Sequence, residues 1–120
     1  MPVLPQTVPS AAQGDKAEVL FEQLVERFRA EPAVTPPSGG AGFGAAGLKV
    51  DGKLFAMLSK GALIVKLPRE RVDELVGAGT GTRFDPGHGR VMKEWIEVPV
   101  ARNRLWRRLA EESQGFVAAR

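Results

Sequence analysis

The sequence contains no cysteine, no tyrosine and a single histidine, His88. Without thiols there is no disulfide framework, no thiolate nucleophile and no cysteine-based metal site. One histidine alone cannot build the usual four-coordinate zinc site, so neither a metal nor a cofactor is expected. Serine occurs only at positions 10, 38, 59 and 113, never in the strained G-x-S-x-G turn that presents a nucleophile. Three pairs of acids remain. Neighbouring carboxylates on a helix point about 100° apart, which makes Asp73-Glu74 and Glu111-Glu112 poor acid/base dyads. Glu94 and Glu97 fall on opposite faces of a strand. His88 would need an orienting acid to serve as a base, and Asp85 is the only loop carboxylate near it. These absences argue against an enzyme, and no catalytic residue is assigned.

Long apolar runs are missing too. No stretch approaches the roughly 20 apolar residues of a membrane helix. Residues 1–14 have no basic segment, and Pro2, Pro5 and Pro9 interrupt them. They read as a loose Pro-rich tail, and the protein is expected to be cytoplasmic with no membrane contact. What is there is an ordinary globular balance, 43% hydrophobic and 26% charged over 120 residues. That fits one domain, here 15–120. The net charge of +3 is unevenly spread. Residues 1–38 carry 3 basic and 5 acidic side chains, and residues 39–120 carry 14 and 9. Such asymmetry permits an anionic partner.

The first element is a helix. Asp15 can cap it with Glu18 reaching back, and Ala17, Leu20, Phe21, Leu24, Val25 and Phe28 form one stripe. Pro32, Pro36 and Pro37 close it. From Phe43 the period changes. Asp51-Gly52 and Lys60-Gly61 separate Leu48–Val50, Lys53–Leu58 and Ala62–Leu67, an antiparallel three-stranded meander with tight turns. Strands two and three are apolar on nearly every residue. Regular alternation puts Phe55 and Met57 on one face and Leu54, Ala56 and Leu58 on the other, so both faces are expected to be covered by helices or a second chain. A short helix follows Pro68, with Val72, Leu75 and Val76 inward and Gly77 or Gly79 ending it. Residues 77–90 read as a Gly-rich loop and Met92–Val98 as a fourth strand. The last helix spans Ala101–Ala119. Leu105, Trp106, Leu109, Ala110, Ser113, Phe116 and Val117 line one face, and Gly115 is a place for a kink. The order α-β-β-β-α-β-α defines an α+β domain, an antiparallel sheet with packed helices.

Two patterns bear on binding. Gly42-Phe-Gly44-Ala-Ala-Gly47 is a literal G-x-G-x-x-G. A dinucleotide site needs a strand before it and a helix after it, whereas here Pro36-Pro37 precedes and a hairpin follows. Close backbone approach at a strand entry explains these glycines better. The basic residues carry the functional signal. Arg102, Arg104, Arg107 and Arg108 fall within seven residues. Arg83, Arg90 and Lys93 precede them, and Lys49, Lys53, Lys60 and Lys66 lie along the meander. Cations on one surface suit a phosphate backbone. Against this, Glu111 lies four residues beyond Arg107 and three beyond Arg108, and Glu112 four beyond Arg108, the spacing of an ion-paired solvated face.

Residues 42–67, Gly-Phe-Gly-Ala-Ala-Gly-Leu-Lys-Val-Asp-Gly-Lys-Leu-Phe-Ala running on to Leu63-Ile-Val-Lys-Leu67, resemble the core of the TfoX (Sxy) N-terminal domain family. Phe84-Asp-Pro-Gly-His-Gly-Arg90 and Met92–Pro99 are similar to its loop and final strand, and the related MmcQ/YjbR group looks alike. The resemblance covers about residues 17–118 and departs at Gly42, where the family usually has Met. The matched positions are turn and core residues, so the resemblance implies a fold and no active site. It also implies a stand-alone regulatory module that binds nucleic acid or a transcription partner. On that expectation Arg90, Lys93, Arg102, Arg104, Arg107 and Arg108 contact phosphates. The alternative is a protein-interaction module or homodimer using the apolar sheet face, with Phe55, Met57, Ile64 and Trp95 at the interface.

Overall fold

The computed structural model of the chain describes residues 9–37, 47–87, 89 and 91–120. Helix α1 spans Pro9–Phe28, so the helix starts ahead of the expected cap at Asp15 and takes in part of the segment read as tail. Proline suits a first helical position because its missing N–H would have no partner there. The strands are β1 (Val34–Thr35), β2 (Gly47–Val50), β3 (Lys53–Ser59), β4 (Ala62–Lys66), β5 (Thr82–Phe84) and β6 (Met92–Pro99). Helix α2 (Arg69–Gly77) lies between β4 and β5, and α3 (Trp106–Ala118) follows β6 through a 3₁₀ segment, Val100–Leu105. The sheet is antiparallel throughout, in the order β1-β2-β3-β4-β6-β5. The α+β class and the meander are as expected. Strands β1 and β5 are additions to the expected four, the latter inside the segment read as loop.

Both predicted turns adopt the backbone their sequences favour. Asp51 and Gly52 have φ of 52° and 82°, and Lys60 and Gly61 have 53° and 77°. Positive φ at both central residues is the condition for a two-residue hairpin that matches strand twist.

Strand β3 departs from the expected alternation. Leu48 pairs with Ala56 while the next residue, Lys49, pairs with Leu54. Phe55 is the extra residue of a β-bulge, with no register partner on β2 or β4. A bulge puts two consecutive side chains on one face. Phe55 therefore joins Ala56 and Leu58 on the helix side, where its ring meets Phe28 edge-on at 5.3 Å. Leu54 and Met57 share the other face. The expected grouping of Phe55 with Met57, Ile64 and Trp95 is thus corrected.

The main core draws on all three helices and one sheet face. It includes Phe21, Leu24 and Phe28 of α1, Val72 and Leu75 of α2, and Trp106, Leu109, Ala110 and Val117 of α3. No described helix residue belongs to the cluster on the opposite face, which consists of Met57, Ile64, Phe84 and Trp95 with half-buried Leu54 and Met92. Helices therefore cover one face and not both.

Polar contacts lock α3 in place. The indole Nε1 of Trp106 donates to the Val98 carbonyl at 3.2 Å, and the Ser113 hydroxyl donates to the Phe55 carbonyl at 2.8 Å. Arg71 on α2 grips Glu112 through Nε and Nη2 at 2.9 and 3.0 Å. That carboxylate, followed by Glu74, raises the Arg71 pKa above its ordinary value. Arg27 on α1 reaches Glu111 at 3.0 Å. Helix α3 runs through Gly115 without interruption. The irregularity lies earlier, at Arg102 in the 3₁₀ segment, with φ −108° and ψ 27°.

Candidate nucleic-acid interface

Strand β6 ends at Pro99, and the chain turns through the 3₁₀ segment before α3 begins. Arg102 and Arg104 project from that segment and Arg107 and Arg108 from the first turn of α3, so they do not share one continuous α-helical face. All four are exposed. No acidic residue stands in the first turn of α3. Arg107 pairs with Glu111 at 3.2 Å, and the same carboxylate also holds Arg27. Glu112, four residues past Arg108, is taken by Arg71 instead. Among the described residues Arg102, Arg104 and Arg108 make no ion pair. The paired-face expectation thus holds for Arg107 and not for Arg108.

The other expected contacts are elsewhere. Lys93 is exposed near the start of β6, whereas the arginines follow its end. At about 3.3 Å per strand residue, the stretch from Lys93 to Pro99 covers roughly 20 Å. Lys93 therefore stands roughly 20 Å along the strand from the arginine run. Arg90 lies outside the described residues, as do His88, Gly42 and Gly44. Arg83 is tied to Asp73 of α2.

The acidic pairs are divided among separate arginines. Asp73 faces Arg83 while Glu74 faces Arg71. Glu111 faces Arg27 and Arg107 while Glu112 faces Arg71. Glu94 faces Arg120 at 3.0 Å. Asp85 accepts a hydrogen bond from the Gly87 N–H at 2.8 Å, a turn-forming contact. No group of three His, Cys, Asp or Glu residues suited to a metal occurs among the described residues. Gly47, last of the G-x-G-x-x-G, begins β2 with no helix after it. A Cβ there would come within 2.7 Å of the Ala56 carbonyl oxygen and collide with Leu54. That is the close-approach role.

A second basic group gathers at the other end of α3. Lys49, Lys53, Lys66 and Arg120 border a cavity of about 370 Å³ whose apolar wall includes Leu54 and Trp95. The strand lysines were legible as residues. Their meeting with Arg120 was not, because it depends on the Lys66–Trp95 register between β4 and β6 and on where α3 ends. A larger hollow, about 790 Å³ along α1, is bordered by Glu22, Glu26 and Arg29, two acids against one cation.

Compared with known proteins, the chain matches no family model, no curated protein and no solved structure.

Proposed function

We propose that this domain is a non-enzymatic regulatory module of the TfoX N-terminal kind that contacts the phosphate backbone of nucleic acid, directly or together with a transcription partner, in the cytoplasm. The observation that carries the reading is the run Arg102, Arg104, Arg107 and Arg108, four exposed guanidiniums of which three make no ion pair among the described residues. Elsewhere among the described residues Arg27, Arg29, Arg71, Arg83 and Arg120 each face a carboxylate, while exposed Arg69 makes no ion pair. A guanidinium fork matches phosphate geometry, and such contacts position a protein on a duplex without reading sequence. No helix among the described residues is long and apolar enough to cross a membrane. We favour this reading over an interface on the second sheet face because Met57, Ile64 and Trp95 are each 7% exposed or less and have little area to offer.

The test is fluorescence anisotropy on a short labelled duplex, titrated between about 50 and 200 mM salt. Four phosphate contacts give a log–log slope of roughly −3.6, about a 100-fold loss of affinity over that range. Replacing Arg104, Arg107 and Arg108 together by Ala should flatten the slope toward roughly −0.9 and weaken all sequences alike. Absence of binding at the low-salt end, or a loss confined to one sequence, would overturn the reading.

A further inference from the structure

The basic cavity at the end of α3 is distinct from the arginine run and carries its own inference. We propose that it is a binding site for a small phosphate-bearing ligand. Three observations on independent elements converge there. First, four cations from β2, β3, β4 and the end of α3 border one cavity. Like charges brought together without compensation repel, and an anion between them relieves that repulsion. Second, the compensation is incomplete. Arg120 is matched by Glu94 and Lys53 by a main-chain oxygen of the last residue, Arg120, while Lys49 and Lys66 make no ion pair among the described residues. The Lys53 ammonium gives one of its three donors to the terminal Arg120 oxygen at 2.6 Å, which leaves two for a ligand. The Lys66 ammonium rests over the Trp95 ring at 5.8 Å, a weak contact that an anion can outcompete.

Third, the space has room for a small ligand. At about 370 Å³ it falls in the range of small-molecule pockets, with apolar walls at Leu54 and Trp95 and polar groups at its rim. Lys66 and Trp95 also border a neighbouring hollow lined by Lys93 and Glu94. That arrangement suits a compact oligophosphate, or a mononucleotide whose non-polar part lies on the apolar wall. The phosphate could also be the end of a nucleic-acid strand, and the experiment separates these sources.

Calorimetric titration of the full chain with tripolyphosphate, with AMP and with a 5′-phosphorylated single strand tests the site. Saturable binding of tripolyphosphate or AMP is expected. Lys49→Gln and Lys66→Gln should each weaken it about 10-fold, the effect of losing one charge-assisted hydrogen bond. Both side chains are only half-buried, and a thermal melt of each variant confirms its folding. The Arg104→Gln/Arg108→Gln variant should bind the small phosphates unchanged, so failure of this site and failure of the arginine surface are separately visible. Tightest binding of the phosphorylated strand, lost without its 5′-phosphate, would assign the site to a strand end. No saturable heat with any phosphate, or affinities that ignore both lysine substitutions, would overturn the proposal.

Discussion

Ser113→Ala isolates the hydrogen bond that serves the β3 bulge. Ser113 is completely buried in the middle of α3, and its hydroxyl donates to the Phe55 carbonyl at 2.8 Å. Phe55 has no register partner on either neighbouring strand, and this hydroxyl supplies its carbonyl with a buried donor. Leaving such a buried acceptor without its donor costs about 1–3 kcal/mol. Alanine is the better helix former, which returns roughly 0.5 kcal/mol. The net expectation is a loss of about 0.5–2.5 kcal/mol, or roughly 2–10 °C in Tm for a domain of this size. Urea denaturation gives the free energy directly, and an unchanged m-value would show that the unfolded reference has not moved. Ser113→Cys keeps the shape with a weaker donor and should fall between the two. A Ser113→Ala protein as stable as the parent, or more so, would refute the reasoning and show that the Phe55 carbonyl does not depend on this hydroxyl.

Two further substitutions probe the frame around the candidate sites. Gly47→Ala should destabilise by about 1–3 kcal/mol, as for other overpacked positions, because the new Cβ meets the backbone oxygen of Ala56, which cannot rotate away. A melt within about 1 °C of the parent would contradict this. Arg71→Ala breaks the two-pronged contact with Glu112 as well as the 2.6 Å pair with Glu74. Both Arg71 and Glu112 are about a third exposed, so solvent screening limits the loss to about 0.5–1.5 kcal/mol. It should shrink in high salt, and a salt-independent loss would point to packing by the arginine stem instead.

Much of the fold was legible because it is written in local signals. The α1 stripe, the Asp51-Gly52 and Lys60-Gly61 reversals, and the Trp106–Val117 face of α3 each follow from a period or a turn requirement of a few residues. The departures come from long-range pairing. An all-apolar strand gives no sign of where a bulge sits, so alternation placed Phe55 on the wrong face. Strand β5 is three residues long, pairs only with β6, and lies in a stretch whose glycines read as loop. The arginines were legible as a run, but not the 3₁₀ segment that carries two of them. Nor was the extended β6 that sets Lys93 apart. Charge partners were harder still: Glu112 has the spacing to serve Arg108 and is claimed by Arg71 from another helix.

The sheet is bounded by β1, two residues long, and β5, three residues long and interrupted by a register shift against β6. An added strand needs a run of unpaired N–H and C=O groups along a flat border, and neither border supplies one. Among the described residues, short and irregular bordering strands of this kind are the device by which sheets discourage edge-to-edge pairing between copies.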